Sequence, residues 1–366
     1  MVDESVKPLV FPEAFYLATK GGGAFFGIRT YLDNRITFPL EDTLPDGQGR
    51  KATVILLGGQ SNASGCSRDD YLQKNVPADL YAQYDAGYDN VYINYYATGT
   101  NASNAFVKCA TRQGEAGGFF GPELGLAEKL HEQYPDRLFF IIKCAWGGSN
   151  LFEQWRAPSS SGKTGKLYKQ FVAFVDTSMK YLESKNYDVT IEGMCWMQGE
   201  SDSFDPANAT NYERNLNDFI KDIRKRYVRY AAPDGIAFVD ATIADNPMYW
   251  VYCDDVNASK QAVAAADPMT VLIDTNAEGL TCSIEPKGTP DMAHYDSLSQ
   301  IKLGNLAEID TDELTKKAAD EAKATARENG KRIRELEREN AEQKKLAASQ
   351  SREASRISDA SLRAEK

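Results

Sequence analysis

The sequence predicts an α/β fold, a parallel sheet covered by helices, followed by a charged C-terminal arm. Three observations carry this. Six short apolar runs alternate with helical patterns between residues 51 and 309, the runs are apolar almost without interruption, and the composition changes sharply after Asp310. Strands buried on both faces lose the apolar–polar alternation of half-exposed strands, and βαβ alternation favours a parallel sheet.

The six strands are read at Thr53–Gly59, Asn90–Tyr96, Arg137–Ala145, Thr190–Met197, Gly235–Ala241 and Met269–Asp274. Helices are expected over Pro122–Gln133, Lys166–Ser184 and Asn211–Tyr227, and Ser297–Ile309 closes the series. Phe171, Phe174, Val175, Ser178 and Leu182 recur at close to the 3.6-residue period of a helix with one buried face.

The 366 residues divide into an N-terminal segment of unassigned role (1–50), an α/β domain (51–310) and the arm (311–366). In the first segment Gly21–Gly27 (GGGAFFG) lacks the Gly-Lys-Ser/Thr ending and the strand–helix context of a phosphate loop, so it reads as a turn. The arm has no aromatic residue and 14 basic against 12 acidic side chains, a net of +2 that leaves −13 on the rest. Ala, Glu, Lys and Arg favour helix, but the heptad pattern fails after Ile333 and Leu336, where Asn340 and Gln343 follow. The arm is expected to be exposed, partly helical or disordered, and open to a role in protein–protein contact.

Composition excludes several classes of function. A net charge of −11 repels phosphate and argues against a nucleic-acid partner. No run of eighteen apolar residues suggests a membrane span, and no basic patch followed by an apolar run suggests a signal peptide, which leaves a cytoplasmic or a processed, exported protein. The six cysteines have no CxxC spacing and read as buried thiols, with a Cys253–Cys282 bridge as the alternative for an exported chain. There are only two histidines, His131 and His294, so a zinc site built on several histidines is ruled out. His131, late in an amphipathic helix, reads as solvated.

The residues suited to chemistry all follow strands. Ser61 follows the first (GGQSNASG), Gly147 and Gly148 the third (AWGGS), Gln198, Glu200 and Asp202 the fourth (WMQGESD), and Asp291 and His294 the last (PDMAHYD). Ligands of open parallel sheets bind beyond the carboxyl ends of the strands, so these segments are expected to share one rim. A serine hydroxyl needs a base to take its proton, and the base needs an acid to orient it. Asp291 precedes His294 by three residues, within reach of its ring. The tetrahedral intermediate of acyl transfer also needs donors for its oxyanion. The Ser61 amide, that of Gly147 or Gly148, and the Gln198 side chain are the candidates.

GQSN, WGGS, QGESD and DxxH, in this order, resemble the SGNH hydrolases. Within them the chain is most similar to the sialate O-acetylesterase and acetylxylan esterase group, carbohydrate esterase family six. The resemblance covers residues 51–309. It implies a three-layer α/β/α, flavodoxin-like fold and a serine esterase that removes O-acetyl groups from a carbohydrate through an acyl-enzyme. It also implies a Ser61–Asp291–His294 triad, oxyanion donors at Ser61, Gly147–Gly148 and Gln198, and no metal or cofactor. FGPELG (Phe120–Gly125) is a further shared segment, read as structural. Ala63 replaces the methionine usual after GQSN.

Other readings accompany this one. Taken alone, Ser61 reads as a helix cap, and the competing reading of Asp291 is a cap of the last helix. Glu200 and Asp202 resemble a glycosidase pair, but the triad already accounts for a site, so they are assigned to holding the loops around Gln198. Trp146, Trp155 and Tyr295 either line a sugar surface or pack in the core. The alternative activities are an SGNH lipase or thioesterase on other acyl esters, and a carbohydrate-binding or assembly component that kept the fold.

Overall fold

A computed structural model of the chain describes residues 36–307 and scattered helical, exposed positions between Lys323 and Gln343. The turn expected at Gly21–Gly27 and most of the arm lie outside the described residues. The chain divides into two units, Met1–Thr311 and Asp312–Lys366.

Six parallel strands form the first unit: β1 (Lys51–Gly59), β2 (Val91–Ala97), β3 (Phe139–Ala145), β4 (Asp188–Met197), β5 (Ala237–Ala241) and β6 (Thr270–Ile273). Their order across the sheet is β6-β5-β4-β1-β3-β2. The apolar runs fall in the centre, since β1 is buried from Ala52 onward and β3 throughout. Two short strands, Asn101–Ala102 and Val107–Lys108, pair antiparallel with β2 and cover that edge. They are too short to carry a periodicity, and the sequence did not reveal them.

The strand register separates the two faces. Leu57 lies beside Cys195, and Cys195 beside Val239, while their neighbours Gly58 and Trp196 form the opposite row with Asp240. Helices α1 (Glu123–Gln133) and α5 (Ser297–Leu306) cover the first row, where Leu57, Leu126, Cys195, Val239, Ile273 and Leu303 meet. Helix α2 (Lys166–Ser184) and helix α3 (Tyr212–Tyr227) cover the second, with Phe171 against Gly58 and the Phe219 ring tilted against Trp196, centroids 4.5 Å apart. The result is the expected three-layer α/β/α arrangement.

Helix α4 (Cys253–Ala266) is absent from the sequence reading for an identifiable reason. Its buried stripe, Val256, Lys260 and Val263, has a lysine at its centre. Lys260 is fully buried and donates to Asp240 of β5 at 2.6 Å, an ion pair that interrupts both a helical and a strand apolar pattern. A second buried pair, Lys143 of β3 with Glu123 of α1 at 2.7 Å, accounts for the charge inside FGPELG. Each ion is stable there only because its partner is within contact distance.

Of the N-terminal segment, residues 36–50 lie along the domain. Phe38 meets Tyr96 and Phe174 edge-on at 5.0 Å, and the Thr43 and Leu44 amides donate to the Tyr181 hydroxyl. His131 is not merely solvated. Its Nδ1 is 2.7 Å from the Asn90 side chain and its ring lies against Tyr88, tying α1 to the start of β2. All six cysteines are free, Cys253 and Cys282 included.

Helices α1 and α5 touch backbone to backbone. A methyl group on Gly125 would fall 2.0 Å from the Ile301 carbonyl oxygen, and one on Gly304 2.1 Å from that of Pro122. Gly125→Ala gains about 1 kcal/mol of helix propensity but has to part the helices. We expect a net loss of about 2 kcal/mol in urea unfolding, and a stabilised variant would contradict the close crossing.

Candidate active site

β1 ends at Gly59, and Ser61–Ser64 form a single helical turn immediately after it. Ser61 is its first residue and Gln60 the cap, with no side-chain capping bond. The helix-cap explanation of Ser61 therefore lapses. Its hydroxyl makes no hydrogen bond among the described residues.

The residues on either side of Ser61 tie the turn to the other strand ends. The Gln60 amide donates to the Met197 carbonyl at 2.8 Å, and its side-chain oxygen accepts from the Ser201 amide at 3.1 Å. Asn62 reaches in two directions. Its Nδ2 donates to Glu200 at 2.8 Å and to the Ala293 carbonyl at 3.4 Å, while its Oδ1 accepts from the Tyr295 amide at 3.2 Å. Ala293 and Tyr295 flank His294, so Ser61 and His294 are held by one clasp. Neither Gln60 nor Asn62 was singled out in the sequence. The available signal was two amide side chains flanking Ser61 at the end of an apolar strand.

Asp291 and His294 meet as their spacing predicted. His294 Nδ1 lies 2.6 Å from Asp291 Oδ2, with the imidazole about one-quarter exposed and the carboxylate about one-half. A carboxylate on Nδ1 fixes the ring so that Nε2 is left to act on a substrate or a hydroxyl. Asp291 does not cap α5, whose cap is Asp296.

Between β3 and α2, Gly148 has a φ of +64°, which favours glycine. The amides of Gly148 and Ser61 donate to nothing among the described residues, whereas that of Gly147 donates to Thr98 Oγ1 at 3.1 Å. Gln198 departs from expectation. It is fully buried, and its Nε2 is directed at the Gln60 side chain, the Ser149 carbonyl and Asp202 at 3.2, 3.0 and 2.6 Å. Its oxygen accepts from the Tyr212 hydroxyl. Two amide hydrogens with three acceptors leave none for an oxyanion. Trp155 and Tyr295 also differ from a sugar-lining role, at 1% and 2% exposed. Trp155 stands edge-on to Trp196 and donates to Ser149 Oγ at 2.7 Å. Trp146, half-buried against Tyr96 and Gly99, stays at the rim.

Glu200 and Asp202 are 2% and 0% exposed, inaccessible to a glycoside. Asp202 accepts from the Leu151 and Phe152 amides at 2.7 and 3.0 Å and from Gln198, so it fixes the loop after β3 to the turn after β4. Burial pushes the Glu200 carboxyl up, against the donor Asn62. Burial also pushes Asp202 up to about 6, against its main-chain donors and Gln198.

The Asp202 shift has a sign that can be tested. An unfolded aspartate ionises near 3.8, so the native state holds the extra proton between that value and about 6. Stability therefore falls as pH rises through this window, and the full cost applies above it. Asp202→Asn should be less stable than wild type, with a deficit that shrinks by about 2 kcal/mol from pH 4 to pH 7. A pH-independent difference in denaturant midpoints would show that Asp202 ionises normally.

A family model for carbohydrate esterase, sialic acid-specific acetylesterase, matches residues 51–309. Among solved structures, the chain is similar to a protein from Arabidopsis thaliana, at 20% identity over 70% of this chain and 95% of that one, with a TM-score of 0.48. It is similar to NanS at 16% identity over 78% and 100% of the two chains, with a TM-score of 0.48. For Axe2, an acetylxylan esterase from Geobacillus stearothermophilus, the values are 11%, 71%, 93% and 0.34. No curated protein matches the sequence. With most of its length covered by that model, the chain belongs to the sialic acid-specific acetylesterase family of carbohydrate esterases: it is a carboxylic ester hydrolase that acts on acetylated carbohydrate.

Proposed function

We propose that the chain removes O-acetyl groups from a sugar through an acetyl-enzyme on Ser61. The observation that carries this is the Asn62 clasp, which holds the residues on both sides of His294 to the residue after Ser61. His294 Nε2 takes the Ser61 proton as the hydroxyl attacks the acetyl carbonyl, and Asp291 on Nδ1 stabilises the imidazolium. The Ser61 and Gly148 amides, free of other acceptors, receive the oxyanion. Collapse breaks the bond to the sugar oxygen, which leaves with the proton from His294. Water, deprotonated by the same imidazole, then releases acetate and restores Ser61. The His294 imidazole carries every proton transfer in this sequence, and Asp291 stays ionised throughout.

Residues 51–310 are assigned to the esterase domain. The mixed-charge arm 311–366, exposed at each described position, is assigned to contact with other proteins.

Ser61→Ala and His294→Ala should each lower kcat on an acetyl ester by at least about 10³-fold. A fluorophosphonate probe should label wild type and not Ser61→Ala. Equal turnover by wild type and Ser61→Ala would refute the nucleophile assignment, and faster hydrolysis of long acyl chains than of acetate would move the activity to lipase or thioesterase.

A further inference from the structure

Glu115 lies beside the nucleophile turn and takes no part in the chemistry above. Its main-chain amide donates to the Gly65 carbonyl at 2.8 Å, and Thr100 Oγ1 donates to its carbonyl at 3.2 Å. One carboxylate oxygen, Oε2, accepts from Ser64 Oγ and Cys66 Sγ, both at 2.9 Å. The other, Oε1, has no hydrogen-bond donor among the described residues. It lies 2.8 Å from where a Cβ on Gly147 would be, next to the oxyanion donor Gly148. The side chain is half-buried, so it is open to the rim and held from below.

The charges around this turn are of one sign. Glu115, Glu200 and Asp291 reach it through Ser64, Asn62 and His294. The buried cations nearest in the fold, Lys143 and Lys260, are paired with Glu123 and Asp240. An uncovered carboxylate oxygen beside the oxyanion donors opposes the charge that develops there. A neutral donor on that oxygen removes the conflict, and a sugar hydroxyl is such a donor. An anionic substrate group adds a further repulsion.

We infer, resting on the esterase reading above, that Glu115 is a specificity residue: its Oε1 accepts a hydroxyl of the acetylated sugar, and its charge favours neutral sugar esters over anionic, sialate-type ones. The sequence signal was weak, a single glutamate in a loop between glycines (GEAGG).

The test compares kcat/KM for an acetylated xylo-oligosaccharide and for an O-acetylated sialoside, using the full chain. Wild type should prefer the neutral ester by about tenfold or more, and Glu115→Gln should reduce that preference by about tenfold, the range of one like charge within a Debye length. A ratio removes any general loss of folded enzyme, which a merely structural role of Glu115 would produce. Should the variant fail to fold, wild type answers alone, because its preference should narrow between low and high salt. A sialoside hydrolysed as well as the neutral ester, a ratio unchanged in Glu115→Gln, or a preference insensitive to salt overturns the inference. Loss of both activities in Ser61→Ala would leave the esterase reading standing in each of those cases, whereas Ser61-independent turnover would remove the esterase reading itself.

Discussion

The site depends on Asn62. Its side-chain amide bonds to Glu200 after β4 and to the main chain on both sides of His294, and its carbonyl accepts from Gln300 of α5 at 2.9 Å. Nearly all of its hydrogen-bonding capacity is used, at 3% exposure. A buried amide satisfied from several segments is stable only when those segments are all in place, so formation of the clasp and assembly of the rim are one event. Gln60 does the same toward β4. Ser61 stands between two residues that are fixed from several directions, while its own hydroxyl is left without a structural task. In the GQSN block, the nucleophile candidate is the residue the fold does not use.

Burial of this network has an electrostatic consequence. Glu200 has a single side-chain donor, Asn62, and its second oxygen meets no partner among the described residues. Asp202 has three donors and still ionises near 6. Burial works against ionisation of both carboxyls, and hydrogen bonds from Asn62, Gln198 and the Leu151 and Phe152 amides offset part of that cost.

Much of the fold was legible because its signals are local. Six apolar runs mark six strands within a few residues, and three of the four sequence blocks reach the rim through residues attached directly to strand ends. Legibility stopped where a side chain's role depends on partners that only the folded chain brings to it. Gln198 has the chemistry of an oxyanion donor, and only its contacts with Gln60, Ser149 and Asp202 show it turned inward. Trp155 and Tyr295 have the faces of sugar-binding residues, yet they are packed beneath the rim. Lys260 hid a helix because a buried ion pair reads, in one dimension, as a surface position. Glu115 lay outside every recognised block, and only its approach to Gly147 and the turn after Ser61 gives it a role.

Asp291 and His294, the proposed acid and base, sit on a loop, and the loop must supply their orientation. Asp291 is half-exposed, where water screens its attraction to His294 and an ion pair alone holds little. The loop is closed instead by two carboxylates that accept main-chain donors. Asp296 takes the Glu285 amide at 2.7 Å and the Thr281 hydroxyl at 2.6 Å, and Glu285 takes the amide and hydroxyl of Ser297, each at 2.7 Å. Asn75 adds a donor to Glu285 from the segment after the nucleophile turn. Charge-assisted bonds of this kind are stronger than neutral ones, and they fix the main chain on both sides of Asp291 and His294. The alignment of the imidazole then follows from main-chain geometry, with the Asp291 contact occupying Nδ1 and leaving Nε2 free of it. The proposed nucleophile on a rigid strand end and the proposed base on a clamped loop are tied together through Asn62, so damage to either clamp would misplace His294 while leaving the sheet intact.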